Sequence, residues 1–329
     1  MLGGLKPPSA ELRMPESILV IEDDSTIRTI LVKTFSRQSR VLEAKSGTEG
    51  LQVLLTQRPD FVITDVMLPG MTGVELIARA RRSYYGACVP ILVLTASPDE
   101  QTLYDCFREG ADDFMSKPFS VKEIQVRVAS IHLRQRVIRD MNPLTRLPGN
   151  LAIKRQLSWR LEQRESFAIA VLDLDHFKAF NDSRGFDLGD EVIKLVADLC
   201  IGFTIAHPQE EVFVGHVGGD DFVVLLPSAQ VEAFARWVHQ RFAEAVTKYY
   251  SPEERAAGLT EVQNRRGEKE RVPLLSLSIG VTDTRRSDLS DVRRISEVSA
   301  EVKKQAKAIP GNSLFIDRRV SVVGSPETS

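Results

Sequence analysis

The sequence predicts an α/β protein of two domains, in which a doubly wound parallel sheet is followed by a second domain of strands and helices. Three observations support this prediction. The chain has 329 residues, enough for about two domains. From Ser17 to about Arg134, short apolar runs alternate with segments of helical spacing, and such βα alternation builds a parallel sheet. Later, Val212–Val217 and Phe222–Leu226 flank Gly218-Gly219-Asp220-Asp221, the pattern of a β-hairpin with glycines at its bend.

Composition narrows the class of protein. The chain is 43% hydrophobic and 27% charged, which is typical of soluble globular proteins. Its net charge of −2 argues against bulk binding of DNA or membranes. No apolar run reaches the roughly 20 residues that cross a bilayer. Since its three cysteines are scattered, we expect them to be reduced in a cytoplasmic protein that neither binds DNA nor inserts into membranes. Residues 1–16 and 319–329 are expected to be flexible tails.

The first domain is predicted over residues 17–134. Thr26–Ser36 and Gly47–Gln57 show helical spacing. Between such stretches lie five apolar segments that we interpret as strands: Ile18–Ile21, Val41–Ala44, Phe61–Thr64, Val89–Leu94 and Asp113–Ser116. Functional sites of parallel sheets lie at the carboxyl ends of the strands, so the residues that follow these segments are the candidates.

Polar residues follow four of the five predicted strands. The first ends in Glu22-Asp23-Asp24, the third in Asp65, the fourth in Thr95 and the fifth in Lys117. Acids crowded at one sheet edge repel each other unless a cation lies among them. A lone aspartate at a strand end is usually a helix cap or loop residue, but the four-part set favours a metal and phosphoryl site.

This set resembles the receiver domain of two-component response regulators over the whole first domain. The resemblance implies a flavodoxin-like fold, a histidine kinase partner and a bound Mg²⁺. Asp24 matches the variable third acid of the family. The implied roles are phosphorylation of Asp65, Mg²⁺ binding by Glu22, Asp23, Asp65 and the Met67 carbonyl, contacts of Thr95 and Lys117 with phosphoryl oxygens, and an aromatic switch at Phe114.

Residues 120–142 are predicted to form the last helix of the first domain and a linker. The helical pattern runs from Ser120 to Met141 and stops at Asn142-Pro143. Its apolar residues lie near heptad spacing, with an interruption at Gln135. Two interpretations stay open at this point: a dimer-forming stalk that carries the signal, or a final helix with a solvated extension.

Several motifs of the second domain occur in a fixed order. Ala168–Asp175 is an apolar strand that ends in acids, and the segment after it contains Lys178 and Asn181 before Gly189-Asp190. The hairpin at Gly218–Phe222 follows, and then a strand at Leu275–Val281. With the opening turn Asn142–Pro148, these motifs resemble the GGDEF domain, the diguanylate cyclase family, over roughly residues 142–317. We place the domain at residues 143–318.

The GGDEF resemblance implies an α+β, nucleotidyl-cyclase-like fold with a central antiparallel sheet. It also implies a homodimer that joins two GTP molecules into cyclic di-GMP with Mg²⁺. Asp220 and Asp221 are then the catalytic acids beside Gly218 and Gly219. The further implied roles are Mg²⁺ binding by Asp173, Asp220 and the Leu174 carbonyl, guanine recognition by Asn181 and Asp190, and phosphate contacts by Lys178 and Lys307.

Three departures from the family pattern concern the proposed catalytic site. Asp221 stands where the family has glutamate, and His216 where it has arginine. In Ala306–Asn312 the phosphate-binding arginine is missing, and Arg318 and Arg319 come too late to replace it. The sequence therefore supports a phosphorylation-controlled diguanylate cyclase, with the alternative of a degenerate domain that signals by binding nucleotide or protein. The charged segment Tyr250–Arg271 is expected to be a solvated loop or helix extension.

Overall fold

The computed structural model describes residues 13–96, 99–163, 166–263, 269–285 and 291–317. The chain divides between Arg139 and Asp140 into an N-terminal and a C-terminal compact unit. Most of the two predicted tails, together with Arg318 and Arg319, lies outside the described residues. Residues 13–16 are described, and there the carbonyl oxygen of Pro15 accepts a hydrogen bond from Ser39 Oγ at 2.7 Å.

The N-terminal unit is the predicted doubly wound α/β fold. All of its strands are parallel, in the order β2-β1-β3-β4-β5. Its elements are β1 (Ser17–Ile21), α1 (Ser25–Phe35), β2 (Arg40–Ala44), α2 (Gly47–Gln57), β3 (Phe61–Asp65), α3 (Gly73–Arg81), β4 (Ile91–Thr95), α4 (Glu100–Glu109), β5 (Asp113–Ser116) and α5 (Val121–Asp140). The predicted fourth strand began two residues too early, because Val89 and Pro90 precede the paired residues of β4.

Both faces of this sheet are covered, which explains why its strands read as continuous apolar runs. In β1, Ile18 and Val20 pack in one core cluster with residues of α1 and α5, whereas Leu19 and Ile21 pack in another with residues of α2 and α3. The strand ends are therefore fixed by burial, and the polar residues after them meet at one edge of the sheet.

Helix α5 runs from Val121 to Asp140, close to the predicted span. Ile124, Val128 and Ile131 are buried in the core of the N-terminal unit, whereas Ile138 is exposed. Gln135 interrupts the apolar pattern because its side chain donates a hydrogen bond to Asp112 Oδ1 at 2.8 Å. The first three turns of α5 thus pack in the core of the N-terminal unit, and Ile138, which follows Gln135, lies outside that core.

The C-terminal unit has a five-stranded sheet in the order β12-β11-β6-β8-β7. Its pairings are antiparallel except for the parallel pair β11–β12, as the predicted central antiparallel sheet requires. The elements are α6 (Asn150–Glu162), β6 (Ala168–Asp175), α7 (Phe177–Arg184), α8 (Phe186–Ala206), β7 (Phe213–Gly218), β8 (Asp221–Leu226), α9 (Val231–Val246), α10 (Pro252–Ala257), β9 (Leu259–Gln263), β10 (Lys269–Pro273), β11 (Ser276–Asp283), α11 (Val292–Lys307) and β12 (Ser313–Ile316).

Alternation along β6 decides which helices each of its side chains meets. Leu172 and Leu174 belong to the core cluster with α8 and α9, and Ile169 and Val171 belong to the cluster with α6 and α11. Successive side chains of a strand point to opposite faces. Asp173 therefore continues the row of Ile169 and Val171, on the α11 side of the sheet.

The charged segment is more ordered than predicted, so the expectation of a solvated loop or helix extension was wrong. Helix α10 precedes an antiparallel pair, β9–β10, whose Val262 and Val272 are buried. Thr260 Oγ1 donates to Glu254 Oε1, and the same oxygen pairs with Arg184 at the end of α7. Residues 264–268 of the segment lie outside the described part of the chain.

Two candidate acidic sites

The N-terminal site lies at the carboxyl ends of β1, β3 and β5. Glu22 follows β1, Asp65 ends β3, and Lys117 follows β5. Lys117 Nζ is 2.6 Å from Asp65 Oδ2 and 2.7 Å from Glu22 Oε2. Although burial opposes a charged amine, the hydrogen bonds to Asp65 and Glu22 raise the pKa of Lys117. One ammonium group is thus shared by two buried carboxylates.

Asp23 completes a group of three acids in this site. Oxygen atoms of Glu22, Asp23 and Asp65 lie within 4.8 Å of one another, and no other group of three or more potential ligands comes this close in the described part of the chain. Burial and the nearby charge of Asp65 raise the pKa of Glu22, against the lowering effect of Lys117. Hard carboxylate oxygens are the donors that Mg²⁺ prefers, so these residues fit a magnesium site.

The remaining predicted residues of the receiver site differ in their environments. Met67 donates its backbone N–H to Asp65 Oδ1 at 3.1 Å and exposes its side chain. Thr95 is at the end of β4, as the sequence predicted. Its side chain is buried. Phe114 in β5 is half-buried and packs edge-to-face on the exposed Phe107, with ring centroids 5.9 Å apart. Asp24 is the N-cap of α1, because its carboxylate accepts hydrogen bonds from the N–H groups of Thr26 and Ile27.

The C-terminal site lies between β6, the β7–β8 turn and α11. The Asp173 side chain is only 4% exposed, and both of its oxygens pair with lysines of α11. Lys303 Nζ is 2.5 Å from Asp173 Oδ2, and Lys307 pairs with Oδ1. Lys303 also pairs with Asp221 Oδ1 at the start of β8. Sequence reasoning identified Lys307 but missed Lys303, although a spacing of four places both on one face of a helix.

Asp220 lies in the turn of the predicted hairpin. Burial and the nearby charge of Asp173 raise the pKa of its carboxyl group. Gly218 has a φ of 149° and Gly219 a φ of 59°, and a β-carbon on either would meet no atom within 4 Å. The glycines therefore satisfy the backbone of the turn and leave open space beside Asp220.

Asp220 has a raised pKa and forms no salt bridge among the described residues, so further positive charge would stabilise its carboxylate and the chemistry of this site also fits Mg²⁺. Asp173 and Asp220 offer hard oxygen donors. The Leu174 side chain is buried in the core, and only its backbone is available to the site. Asp175 takes no part in these ion pairs, because Ser276 Oγ and Ser278 Oγ each donate to its Oδ2 at 2.8 Å.

His216 contacts residues of the β7–β8 turn and stabilises it. Its ring stacks on Phe222 with centroids 4.2 Å apart. Nδ1 is 2.9 Å from Thr145 Oγ1, and Nε2 is 3.0 Å from the carbonyl oxygen of Gly219. Burial lowers the pKa of His216, so the ring is neutral near pH 7. The imidazole thus fixes the Gly219 backbone rather than supplying charge.

Asn181 and Asp190 lie at the corner between α7 and α8. Asn181 Oδ1 is buried and has no hydrogen-bond partner among the described residues. A β-carbon on Gly189 would lie 1.9 Å from this oxygen, so any other residue at this position would clash with the Asn181 side chain. Asp190 is exposed in the second turn of α8, which begins at Phe186. Lys178 is exposed on the first turn of α7.

Comparison with known protein families identifies two domains in the chain. The model of the response regulator receiver domain matches residues 18–129, and that of the diguanylate cyclase GGDEF domain matches residues 139–313. The second match covers more than half of the chain. The chain belongs to the diguanylate cyclase GGDEF-domain family. Its N-terminal unit is a receiver domain with the predicted flavodoxin-like fold.

Three individual proteins illustrate the similarity, and each matches part of the chain. The transcriptional regulatory protein AfsQ1 of Streptomyces coelicolor is 41% identical over 116 residues, 35% of this chain and 50% of that protein. The alkaline phosphatase synthesis transcriptional regulatory protein PhoP of Bacillus subtilis is 37% identical over 125 residues, 38% of this chain and 51% of that protein. The chain thus spans about half the length of these relatives. The chemotaxis response regulator CheY4 of Vibrio cholerae is 26% identical, with a TM-score of 0.34, and the match covers 36% of this chain and 98% of that one.

The GGDEF domain departs from its family at positions that the structure now describes. Gly311 occupies the place of the phosphate-binding arginine and has a φ of 77° with open space around its β-carbon position. The opening turn has Arg146 where the family has glycine, and this residue also has a left-handed φ of 60°. Among the described helices of the receiver and GGDEF domains, none combines the length and apolar composition that a bilayer-spanning segment needs.

Proposed function

We propose that this response regulator is a diguanylate cyclase controlled by phosphorylation of Asp65, and that its GGDEF domain condenses two GTP molecules into cyclic di-GMP. The observation that carries the proposal is the buried, unpartnered Asn181 Oδ1 beside Gly189-Asp190. An unpaired buried acceptor costs about 1–3 kcal/mol. The N–H groups on the edge of a guanine base are donors that would satisfy both Asn181 and the exposed Asp190.

The acidic site supplies what the chemistry of this condensation needs. Asp173, Asp220 and the carbonyl of Leu174 would hold Mg²⁺, which neutralises phosphate charge when bound. Lys307 lies beside Asp173 and can turn its ammonium group to the triphosphate. Lys178 lies exposed at the start of α7, where the resemblance places a phosphate contact. Phosphoryl transfer of this kind depends on alignment and charge neutralisation more than on a protein nucleophile.

Two copies of the domain are required for one product. In each half-reaction, a 3′-oxygen of one GTP forms a bond to the α-phosphorus of the other, its proton is released, and the bond to pyrophosphate breaks. Two such transfers close the ring and release two pyrophosphates. We therefore propose a homodimer in the cytoplasm, where GTP is available, with the exposed end of α5 as part of its contact.

The receiver domain would control this assembly. Asp65 would be the nucleophile that accepts a phosphoryl group from a histidine kinase, and Glu22, Asp23 and Asp65 would hold Mg²⁺, which would offset the added charge. Lys117 already contacts Asp65 and remains beside the phosphoryl oxygens. Thr95 would move toward those oxygens, and Phe114 would repack in the space that Thr95 leaves.

A second candidate function is a non-catalytic, nucleotide-binding output. Asp221, where the family has glutamate, is paired with Lys303. The neutral His216 and the open backbone at Gly311 each remove a positive charge that the family supplies. These features favour a domain that retains the guanine-binding corner but has lost turnover.

The two candidates are separated by measuring cyclic di-GMP. The full-length protein is treated with a small phosphodonor and incubated with Mg²⁺ and GTP. A cyclase yields product in the wild type, and Asp221→Glu raises or preserves the rate. Absence of product in the wild type and in Asp221→Glu, with binding of a GTP analogue retained, would establish the non-catalytic function instead.

A further inference from the structure

Lys303 lies among the acids of the GGDEF domain, in the position that a cation between them would take. Its ammonium group is 2.5 Å from Asp173 Oδ2 and also pairs with Asp221 Oδ1. The second oxygen of Asp173 pairs with Lys307. Both oxygens that Asp173 could offer to a divalent ion are therefore bound to lysine nitrogen.

The surroundings distinguish Lys303 from an ordinary surface lysine. Its side chain is 28% exposed and reaches a carboxylate that is 4% exposed, whereas the next residue of α11, Lys304, is exposed. Asp221 is one methylene shorter than glutamate, and at this length its Oδ1 pairs with the same ammonium group that Asp173 Oδ2 contacts. Through these two ion pairs, Lys303 of α11 joins Asp173 of β6 to Asp221 of β8.

The two lysines offset most of the negative charge that would otherwise attract a metal ion to the site. Asp173, Asp220 and Asp221 bring three negative charges, and Lys303 and Lys307 return two positive charges. Among the described residues, Asp220 forms no salt bridge, so the one net negative charge is centred on the turn. A divalent cation that approaches Asp173 meets two ammonium groups, and charges a few ångströms apart interact strongly in a partly buried site.

We propose that Lys303 is a resident cation of the site, which replaces a divalent ion between Asp173 and Asp221, and that Asp221 is the positioning residue that holds it. The proposal rests on the proposed function in one respect, that this site receives metal and nucleotide. It assigns Asp221 a role other than metal binding. It also means that Lys303 weakens divalent-cation binding until a nucleotide draws its ammonium group away.

Binding of Mn²⁺ tests the proposal without any measurement of turnover. Free Mn²⁺ is followed by electron paramagnetic resonance in titrations of the full-length protein, in which Asp23→Asn removes the receiver site from the signal. We expect Lys303→Met to tighten binding of Mn²⁺ at least about tenfold, because it removes a competing cation. Lys304→Met makes the same change of charge one residue away, and we expect it to leave the affinity unchanged. Lys303→Arg keeps the charge and should bind Mn²⁺ as weakly as the parent protein.

The proposal is overturned if Lys303→Met binds Mn²⁺ no more tightly than Lys304→Met, or if Lys303→Arg tightens binding as much as Lys303→Met. Thermal unfolding verifies that each variant is folded, and Lys303→Gln repeats the neutralisation with a polar side chain. A protein that makes no cyclic di-GMP but gains Mn²⁺ affinity in Lys303→Met would contradict the proposed cyclase and leave this inference standing. If the wild type forms cyclic di-GMP but Lys303→Met binds Mn²⁺ no more tightly, the proposed cyclase stands and this inference is overturned.

Discussion

The two acidic sites use lysine in opposite ways. In the receiver domain, the single Lys117 bridges Glu22 and Asp65, and Asp23 remains exposed beside them. In the GGDEF domain, Lys303 and Lys307 occupy both oxygens of Asp173. The first site keeps three carboxylates together and open to a cation, while the second supplies most of its positive charge from the chain. The difference shows that matching motifs can fix the location of a site while a helix elsewhere in the sequence alters its charge.

The largest expected effect is on stability, and it contrasts the two lysines. Lys117→Met leaves Glu22 and Asp65 buried without a cation, so we expect a loss of about 3–5 kcal/mol in the free energy of unfolding of the receiver domain at neutral pH without Mg²⁺. Lys303→Met leaves the buried Asp173 paired with Lys307 and removes the partner of the more exposed Asp221, so we expect a loss of about 1 kcal/mol or less.

Urea unfolding can assign these losses to the correct domain. Both tryptophans, Trp159 and Trp237, lie in the C-terminal unit, so their fluorescence follows the GGDEF domain, and far-UV circular dichroism follows both domains. Equal losses for Lys117→Met and Lys303→Met would contradict the distinction between the two sites.

The next effect is on catalysis. Asp173→Asn removes the buried carboxylate on which both α11 lysines converge, and we expect formation of cyclic di-GMP to fall by at least about 10²-fold. Asp175→Asn is the matched control, because Asp175 is bound by Ser276 and Ser278 and lies two residues along the same strand. A rate assay that found Asp175→Asn as inactive as Asp173→Asn would show that strand integrity, rather than the lysine-bound acid, is what the reaction needs.

The third effect is on pH dependence, and it involves the GGDEF site alone. The folded pKa of His216 is lowered from 6.5 by burial, so the unfolded chain binds a proton at higher pH than the folded domain. Stability is therefore constant well above pH 6.5 and is lost as the pH falls below it, by up to about 1.4 kcal/mol per pH unit for one proton. We expect His216→Gln to reduce this slope in tryptophan-monitored unfolding between pH 7.5 and about pH 5.

A contribution from other histidines does not hide this effect. Burial also lowers the pKa of His239 in the same domain, so part of the acid-induced loss will remain in His216→Gln. His239→Gln serves as the matched comparison. An unchanged slope in His216→Gln would mean that its ring is not neutral in the folded domain.

The smallest effect concerns the opening turn of the GGDEF domain. Arg146 has a φ of 60°, a conformation that glycine adopts without steric cost. We expect Arg146→Gly to stabilise the domain by up to about 1 kcal/mol. Arg58 has a similar φ of 52° in the receiver domain, so Arg58→Gly should leave the tryptophan transition unchanged. A destabilised Arg146→Gly would indicate that the arginine side chain makes contacts that outweigh the strain.

Local patterns predicted much of the fold. Continuous apolar runs identified the receiver strands because both faces of that sheet are buried, and the two glycines identified the β7–β8 turn because each has a positive φ. The helical pattern also located α5 within a residue or two at each end. These features depend on neighbouring residues, and so the sequence displays them directly.

Features that depend on distant packing were not predicted. Lys303 reaches Asp173 only because α11 lies across the face of β6 that carries Ile169 and Val171. The start of α8 at Phe186 and the β9–β10 hairpin also require knowledge of the packed domain. The replacement of an arginine by His216 suggested a lost charge, whereas the structure gives the ring a role in holding the Gly219 carbonyl.

We propose that phosphorylation of Asp65 drives synthesis of cyclic di-GMP at the Asp173 site. The most direct measurement is the amount of cyclic di-GMP formed from GTP and Mg²⁺ by the full-length wild type and by Asp65→Asn, each with and without a small phosphodonor. We predict product in the wild type, increased by the phosphodonor, and no increase in Asp65→Asn. Absence of product from the phosphorylated wild type would show that the protein is not a cyclase, and an equal increase in Asp65→Asn would show that Asp65 is not the controlling residue.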